Sequence, residues 1–292
     1  MTRMTDRLKY RVRLPADKLP ARSKNFTAKI YKYYPYPAAG ECYKLKSSAG
    51  VDRELGNDDF AVPPQNLRPG YGSTVEKWLS GGKANTYTMM KLITSDDFLI
   101  QEGNRILDLG CQSGRMIRWL AHSAAKCEIW GVDISARHIV WCQENMSPPF
   151  NFATVTTQPH LPFEDGYFDL VYCGSVFTHI DDLSDAWLLE VKRIMRKDGR
   201  AYITVHDNHT LDLILNDRVP YAVEFKKYLL SFDKTLQFTR SDYYKFCIMP
   251  GTPDVNVFYD IDYLRQHWGR TLHIISITPE VYGYQTAVVM KK

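Results

Sequence analysis

Short apolar runs alternate with stretches of helical periodicity through the middle of the chain. A short apolar run bounded by turn residues suits a buried parallel strand, and recurrence at every third or fourth position suits a helix. Their alternation predicts an α/β fold with a doubly wound, mostly parallel sheet. The predicted strands occupy 106–109, 128–133, 152–156, the segment that ends at Cys173, and 200–205.

The pattern changes on both sides of this core. The segment 206–260 is rich in aromatic residues, and it either caps the site and selects the substrate or only packs on the sheet edge. The core should begin with a helix over 73–94, which Gly81-Gly82 interrupts. We predict an N-terminal arm or lid over 1–68, a core over 69–205, an inserted substrate cap over 206–260, and a last helix with two closing strands over 261–292.

Composition is that of a globular protein, with 45% hydrophobic and 24% charged residues in 292. No apolar run approaches the length of a membrane span, and the N-terminus lacks the apolar core of a signal peptide. The six cysteines are scattered without a Cys-x-x-Cys pair. We therefore expect reduced, buried thiols in a cytoplasmic protein rather than a zinc site or a disulfide framework.

Positive charge is concentrated at the N-terminus. Residues 1–36 contain ten Lys or Arg against two Asp, whereas the whole chain has a net charge of +4. Such a basic segment suits nucleic acid, anionic lipid or an acidic substrate, and it equally suits a solvated arm.

A glycine-bearing turn follows the first predicted strand and opens a helical pattern. Asp108, Gly110 and Gly114 lie in this turn, where glycines let the backbone approach a ligand and the following N–H groups can bind an anion. Gln112 and Arg115 stand where a dinucleotide fingerprint needs glycines, and no Gly-Lys-Ser/Thr run exists for a P-loop.

An acidic residue, Asp133, ends the second predicted strand. A carboxylate at this position can accept hydrogen bonds from both hydroxyls of a ribose. Ile134 would then flank the base of such a nucleoside, and Ser135 should cap the next helix. The combination of a glycine turn with an acid at the second strand tip indicates a nucleoside-containing ligand.

These motifs together resemble the class I S-adenosylmethionine (SAM) methyltransferases. The turn is similar to their first motif, an acidic residue followed by Gly-x-Gly-x-Gly, with Gln112 replacing the middle glycine. The segment 161–172 resembles their Leu-Pro-Phe … Phe-Asp-Leu-Val element, and 63–81 is similar to bacterial small-molecule and glycan methyltransferases. The resemblance implies a seven-stranded sheet with an antiparallel last strand, SAM as cofactor and S-adenosylhomocysteine (SAH) as product.

The resemblance also implies which residues contact the cofactor. Thr157 and Gln158 would replace the acid that often accepts from the adenine amino group, and Asp108 would orient the turn or the methionine amino group. The implied contacts are Asp108, Gly110, Cys111, Gln112, Gly114, Asp133, Ile134, Thr157, Gln158 and Cys173.

Histidines after the fourth and fifth strands are candidate general bases, because ligands of such sheets bind at the carboxyl ends of strands. His179 follows the fourth strand, and His206, Asp207 and His209 follow the fifth. The second group could be a base with its orienting acid or ligands of a divalent metal, although no metal site is assigned. Ordinary capping or hydrogen-bonded loop roles are equally compatible with these residue types.

The predicted activity is SAM-dependent O-methylation of a small molecule or glycan hydroxyl. One alternative is RNA methylation, in which the basic arm binds the substrate. Base N-methyltransferases have an Asn/Asp-Pro-Pro-Tyr/Phe element after the fourth strand. In this chain the similar Pro-Pro-Phe, 148–150, lies before the third strand, which argues against base N-methylation. The other alternative is a degenerate SAM-binding partner subunit, suggested by Gln112 and by the missing adenine acid. The pattern assigns no oligomeric state.

Overall fold

A largely parallel β-sheet forms the centre of the computed structural model, which describes residues 60–71, 74–232, 234, 244–252 and 254–292. Strands β3, β2, β1, β4 and β5 lie side by side in that order, and each neighbouring pair is parallel. The predictions for residues 1–59, including the basic arm, lie outside the described residues. The strands span Arg105–Leu109 (β1), Glu128–Asp133 (β2), Asn151–Thr154 (β3), Phe168–Cys173 (β4) and Met195–Asp207 (β5).

The closing hairpin adds the antiparallel strands. Strand β9, Gln285–Lys291, runs antiparallel to β5 and pairs on its other side with β8, His273–Tyr282. The predicted α/β class, with a mostly parallel sheet and an antiparallel strand at the end, is thereby confirmed. The order places the carboxyl ends of β1, β2, β4 and β5 at one edge.

The segment 206–260 contributes two further strands. Strand β7, Asn256–Tyr259, pairs parallel with the last two residues of β5, and β6, Lys245–Ile248, pairs antiparallel with β7. The sheet therefore contains nine strands in the described residues rather than the seven that the resemblance implies. The role of this segment as a substrate cap stays a prediction.

Helices connect the strands. The amphipathic helix before β1 is capped by the Thr74 hydroxyl, which accepts a hydrogen bond from the Lys77 amide at 3.2 Å. None of the described helices is long and apolar enough to cross a membrane. The helices span Val75–Thr94 (α1), Ala121–Ala124 (α2), Ala136–Met146 (α3), Ser184–Ile194 (α4), Asn208–Leu215 (α5), Pro220–Phe232 (α6) and Ile261–His267 (α7).

Helix α1 corrects the prediction that Gly81-Gly82 interrupts it, because the helix runs unbroken through both residues. A Cβ atom on Gly82 would lie 2.3 Å from the Arg115 carbonyl oxygen and 3.1 Å from the Trp119 indole nitrogen. Glycine is therefore needed here for close approach of α1 to the segment after β1, and not for a break.

Alternating strand residues divide the core into two faces. Leu107 packs with Trp187 and Leu264 on one side, whereas Ile106 packs with Met89 and Ile139 on the other. Neighbouring residues of a strand point to opposite faces, so a continuous apolar run buries both sides of a parallel sheet. The two layers of helices hold the carboxyl ends of the strands, and the loops that follow them, in fixed positions.

Candidate functional site

The turn after β1 is held in a left-handed backbone conformation at three positions. Gly110 and Gly114 have φ values of +81° and +77°, and Gln112 between them has φ 46°. A left-handed conformation is unfavourable for a residue with a Cβ atom, so Gln112 needs stabilising contacts. Its amide N–H donates to Oδ2 of Asp133 at 2.9 Å, which ties the turn to the tip of β2.

The two glycines are required by protein packing. A Cβ atom on Gly110 would lie 2.4 Å from Cγ2 of Val176, and one on Gly114 would lie 2.6 Å from the sulfur of Met146. The sequence argument attributed both glycines to ligand approach. In the structure the atoms nearest to them belong to the loop after β4 and to helix α3, so these glycines shape the turn itself.

Asp133 presents a rigid carboxylate at the end of β2. The residue is buried, and its Oδ1 accepts a hydrogen bond from the Ser135 amide at 2.8 Å while Oδ2 accepts from Gln112. Each carboxylate oxygen has acceptor capacity left for a second donor. Ile134 beside it is 47% exposed, so an apolar side chain lies next to the acid. This pair suits a vicinal diol with a planar ring attached.

A small open pocket lies beside the glycine turn. Four of the predicted cofactor residues line it, namely Asp108, Gly110, Cys111 and Gln112. The predicted residues Cys173, Thr157 and Gln158 are not part of the lining. Cys173 is buried in β4, directly before the lining residue Gly174, and Thr157 and Gln158 are exposed in the loop after β3. The lining also contains five residues that the sequence argument missed, which are Tyr71, Arg115, Met116, Gly174 and Tyr282.

Arg115 is the buried cation of this pocket. Its Nη1 donates to Oδ1 of Asn85 at 2.9 Å, and its Nη2 donates to the Tyr282 hydroxyl. The guanidinium carbon lies 3.8 Å from the centre of the Tyr71 ring, at cation–π distance. The Tyr282 hydroxyl donates to that of Tyr71 at 3.0 Å. Three distant segments of the chain thus hold one guanidinium.

Asp108 is the buried acid of the same pocket. Burial raises the pKa of its carboxyl to about 7, and the nearby Tyr172 hydroxyl and the Arg115 guanidinium partly oppose this rise. Within the described part of the chain, no ion pair shorter than 4 Å joins Asp108 to Arg115. Two opposite charges therefore face one pocket without neutralising each other directly.

His179 lies in a short 3₁₀ turn after β4. Its Nδ1 is 2.7 Å from the Val255 carbonyl oxygen, which can only accept a hydrogen bond. Nδ1 must therefore carry the proton, and the lone pair of the neutral ring is on Nε2. The side chain is exposed and does not belong to the pocket lining.

His206 and Asp207 do not pair with each other as a base and its orienting acid. His206 is buried, with its ring 4.9 Å from Phe258 and 5.1 Å from Phe225, and burial lowers its pKa to about 3. Asp207 caps helix α5 by accepting from the Thr210 amide at 3.1 Å. Neither lines the pocket, and their catalytic role stays a prediction.

His209 pairs instead with Glu280, at 2.7 Å between Nε2 and Oε1. Among the residues that the structure describes, no group of three His, Cys, Asp or Glu side chains is placed to hold a metal ion. Cysteines 111, 127, 142, 173 and 247 are free thiols.

Comparisons with known proteins identify the kind of domain that contains this turn. Residues 107–203 match a family model described as a methyltransferase domain. Methyltransferase GfsG of Streptomyces halstedii is 26% identical over 109 residues, which cover 36% of this chain and 38% of that protein. Malonyl-[acyl-carrier protein] O-methyltransferase of Geobacter sulfurreducens is 31% identical over 99 residues, which cover 34% of this chain and 37% of that protein.

The PH0226 protein of Pyrococcus horikoshii OT3 shares the fold, with a TM-score of 0.51 and 18% identity over 77% of this chain and 96% of that one. The matches to the two methyltransferases span just over a third of their lengths. The matched domain begins in β1 and ends in β5, so it includes the glycine turn and the acid at the tip of β2. Over residues 107–203, about a third of its length, the chain therefore contains a methyltransferase domain.

Proposed function

We propose that the protein transfers the methyl group of SAM to an oxygen atom of a small molecule or glycan. The observation that carries the proposal is the pairing of Asp133, fixed by two backbone N–H groups, with a pocket that holds Asp108 and Arg115 beside the same turn. This arrangement fits a molecule with a ribose at one end and a charged amino-acid group at the other. SAM, when bound, supplies a methyl group already activated by its sulfonium.

The residues of this chain would bind and orient the two reactants. Asp133 would accept hydrogen bonds from the two ribose hydroxyls, and Ile134 would cover one face of the adenine. The ionised carboxylate of Asp108 would face the ammonium group of the cofactor. Holding donor and acceptor in line at near-attack distance contributes about 7–11 kcal/mol in well-oriented reactions.

His179 is our candidate for the general base. A hydroxyl acceptor must lose its proton as the new bond forms, and Nε2 of His179 has its lone pair available in solvent at the carboxyl end of β4. His206 is a weaker candidate because burial lowers its pKa to about 3, far below the pH at which a base must act. A base near neutral pKa is the more effective one.

An oxygen acceptor is supported by the name of the malonyl-[acyl-carrier protein] O-methyltransferase, which resembles this chain over about a third of each protein. An RNA acceptor is the alternative, supported by the ten basic side chains of residues 1–36. A degenerate SAM-binding subunit is the other alternative.

The free thiols of the described residues are consistent with the cytoplasmic location that we propose.

The test is methyl transfer from isotope-labelled SAM into an extract of the source organism, separated into RNA, protein, glycan and small-molecule fractions. Asp133→Ala is the test variant, and Asp262→Ala, an exposed acid with a surface partner only, is the control. We expect label in the glycan or small-molecule fraction, lost in Asp133→Ala and retained in Asp262→Ala.

Two outcomes would contradict this proposal. Label in RNA would replace the proposed acceptor with the RNA alternative. Absence of label in every fraction, together with absence of SAH binding, would favour the degenerate subunit.

A further inference from the structure

A cluster of aromatic and polar side chains lies beside the pocket, where the hairpin of β8 and β9 meets helices α5 and α6. In the turn of this hairpin, Tyr282 lines the pocket and Tyr284 follows it after one residue. The Tyr284 ring stacks on Phe225 of α6 at 4.4 Å and lies 6.1 Å from the ring of Tyr221. The Cα atoms of Tyr282 and Tyr284 are at most about 8 Å apart, so the cluster adjoins the pocket wall.

Glu280 of β8 is the anion of this cluster, and two donors hold its carboxylate. The Tyr221 hydroxyl donates to Oε2 at 2.7 Å, and Nε2 of His209 lies 2.7 Å from Oε1. These two hydrogen bonds lower the pKa of Glu280, so the carboxyl is ionised at neutral pH. The Glu280 backbone is left-handed, with φ 54°, a conformation that is unfavourable for a residue with a Cβ atom and that recurs at functional positions.

Hydrogen-bonding capacity remains on all three side chains. Each carboxylate oxygen of Glu280 can accept a second hydrogen bond, and the Tyr221 oxygen can accept one while it donates. Since a carboxylate can only accept, Nε2 of His209 carries the proton, and Nδ1 of the neutral ring has the lone pair. The three side chains are partly exposed. Several acceptors on one small surface suit a ligand that has several hydroxyl groups.

The Tyr221 ring adds a flat apolar surface to these acceptors. The residue is 37% exposed, and tyrosine combines an apolar ring with a polar tip. One face of a sugar ring presents C–H groups that pack on an aromatic ring, whereas the hydroxyls around its edge donate hydrogen bonds. An exposed ring beside an ionised carboxylate therefore matches a sugar better than an aromatic molecule without hydroxyls. The negative charge of Glu280 disfavours the phosphates of RNA.

We infer that Tyr221, Glu280 and His209 bind a sugar of the methyl acceptor. The inference rests on the proposed function, and it narrows the acceptor from a small molecule or glycan to a glycan that is methylated at a sugar hydroxyl. The Thr210 hydroxyl donates to the Tyr284 carbonyl oxygen at 2.6 Å, which fixes the hairpin against α5 and holds the subsite together. This subsite would give the segment 206–260 a part in substrate selection.

The test identifies the molecule that receives the methyl group. An extract of the source organism is incubated with the protein and isotope-labelled SAM, and each labelled fraction is hydrolysed in acid to its monomers. The labelled monomer is compared with O-methylated monosaccharide standards, because a methyl ether survives the hydrolysis of glycosidic bonds. We expect the label on a mono-O-methyl sugar from the glycan fraction.

Variants then assign sugar binding to this cluster. Tyr221→Ala and Glu280→Gln should each lower the rate of label transfer at limiting extract roughly 10-fold, because a stacking surface or a charged hydrogen-bond acceptor is lost. Both should leave the SAH affinity, measured by calorimetric titration, unchanged. Tyr221→Phe keeps the ring and removes the hydroxyl, so it should lower the rate by a smaller factor. Tyr87→Ala, an exposed tyrosine of helix α1, is the matched control and should keep the wild-type rate.

The outcomes separate this inference from the proposed function. Label on a hydroxyl of a molecule that contains no sugar would overturn the inference and leave the proposed O-methylation standing. Wild-type rates in both Tyr221→Ala and Glu280→Gln would also overturn it. Label in RNA, or no label in any fraction and no SAH binding by the wild-type protein, would overturn the inference and the proposed function together. If Tyr221→Ala does not fold, Tyr221→Phe and Glu280→Gln keep the test decisive.

Discussion

Replacing Asp108 with asparagine should stabilise the ligand-free protein at alkaline pH. Burial raises the pKa of this carboxyl from 3.8 to about 7 in the folded protein. Between these two values the folded state keeps a proton that the unfolded state has released, so the free energy of unfolding falls as pH rises. At about 1.4 kcal/mol per pKa unit, this difference amounts to about 4 kcal/mol above pH 7.

Asparagine has nearly the same shape and cannot ionise. Asp108→Asn should therefore increase the free energy of unfolding at pH 8 relative to its effect at pH 5, by about 3 kcal/mol, because part of the difference is already present at pH 5. The same change removes the charge that we propose to face the cofactor ammonium, so SAH binding at pH 8 should weaken by a factor of roughly 10 or more. Stability and ligand binding thus change in opposite directions, as expected for a functional carboxylate.

Urea unfolding of the ligand-free protein at pH 5 and pH 8 measures the first effect, and calorimetric titration with SAH measures the second. Asp169→Asn is the matched control on neighbouring strand β4. The Asp169 carboxylate accepts from the Arg105 amide at 2.8 Å and from Arg196 at 2.9 Å, so its removal should destabilise the protein at pH 8. The reasoning is refuted if Asp108→Asn changes stability equally at both pH values.

Three further substitutions test the packing and the site. Burial lowers the pKa of His206 from 6.5 to about 3, so the free energy of unfolding decreases as pH falls below 6.5. His206→Phe should therefore raise the free energy of unfolding by about 2 kcal/mol at pH 5 relative to its effect at pH 8, measured by urea unfolding. An equal effect at both pH values would contradict the burial argument. Gly82→Ala should lower the free energy of unfolding by about 1–3 kcal/mol, because the added Cβ overpacks against the Arg115 carbonyl. Gly81→Ala is the control, since its Cβ would lie at an ordinary contact distance of 3.6 Å from Nη1 of Arg115, and thermal melts should show it to be neutral or stabilising. His179→Gln should lower kcat for methyl transfer while leaving SAH affinity unchanged, and an unaltered rate would exclude it as the base.

Local patterns were sufficient to predict the central sheet and the glycine turn that lies beside Asp133. The apolar runs, the glycine turn and Asp133 lie within about thirty residues, and their period and turn residues are physical properties of the local chain. The register between β1 and β2 places that turn beside Asp133, as strand order requires. The fold class therefore follows from the sequence alone, and so does the proximity of the glycine turn to Asp133, whose contact with a ribose stays a prediction.

Only the tertiary structure showed which other residues line the pocket and which histidine is buried. Tyr282 contacts Arg115 although it lies 167 positions after it in the sequence, and Tyr71 contacts it from the segment before helix α1. Local sequence patterns therefore predict neither contact. His206 was predicted to follow the fifth strand, where a base would be expected, but it lies within β5. The packing of Phe225 and Phe258 around its ring leaves it buried and neutral. Charge and burial depend on neighbours that the whole fold assembles, whereas strand and turn preferences depend on the residues themselves.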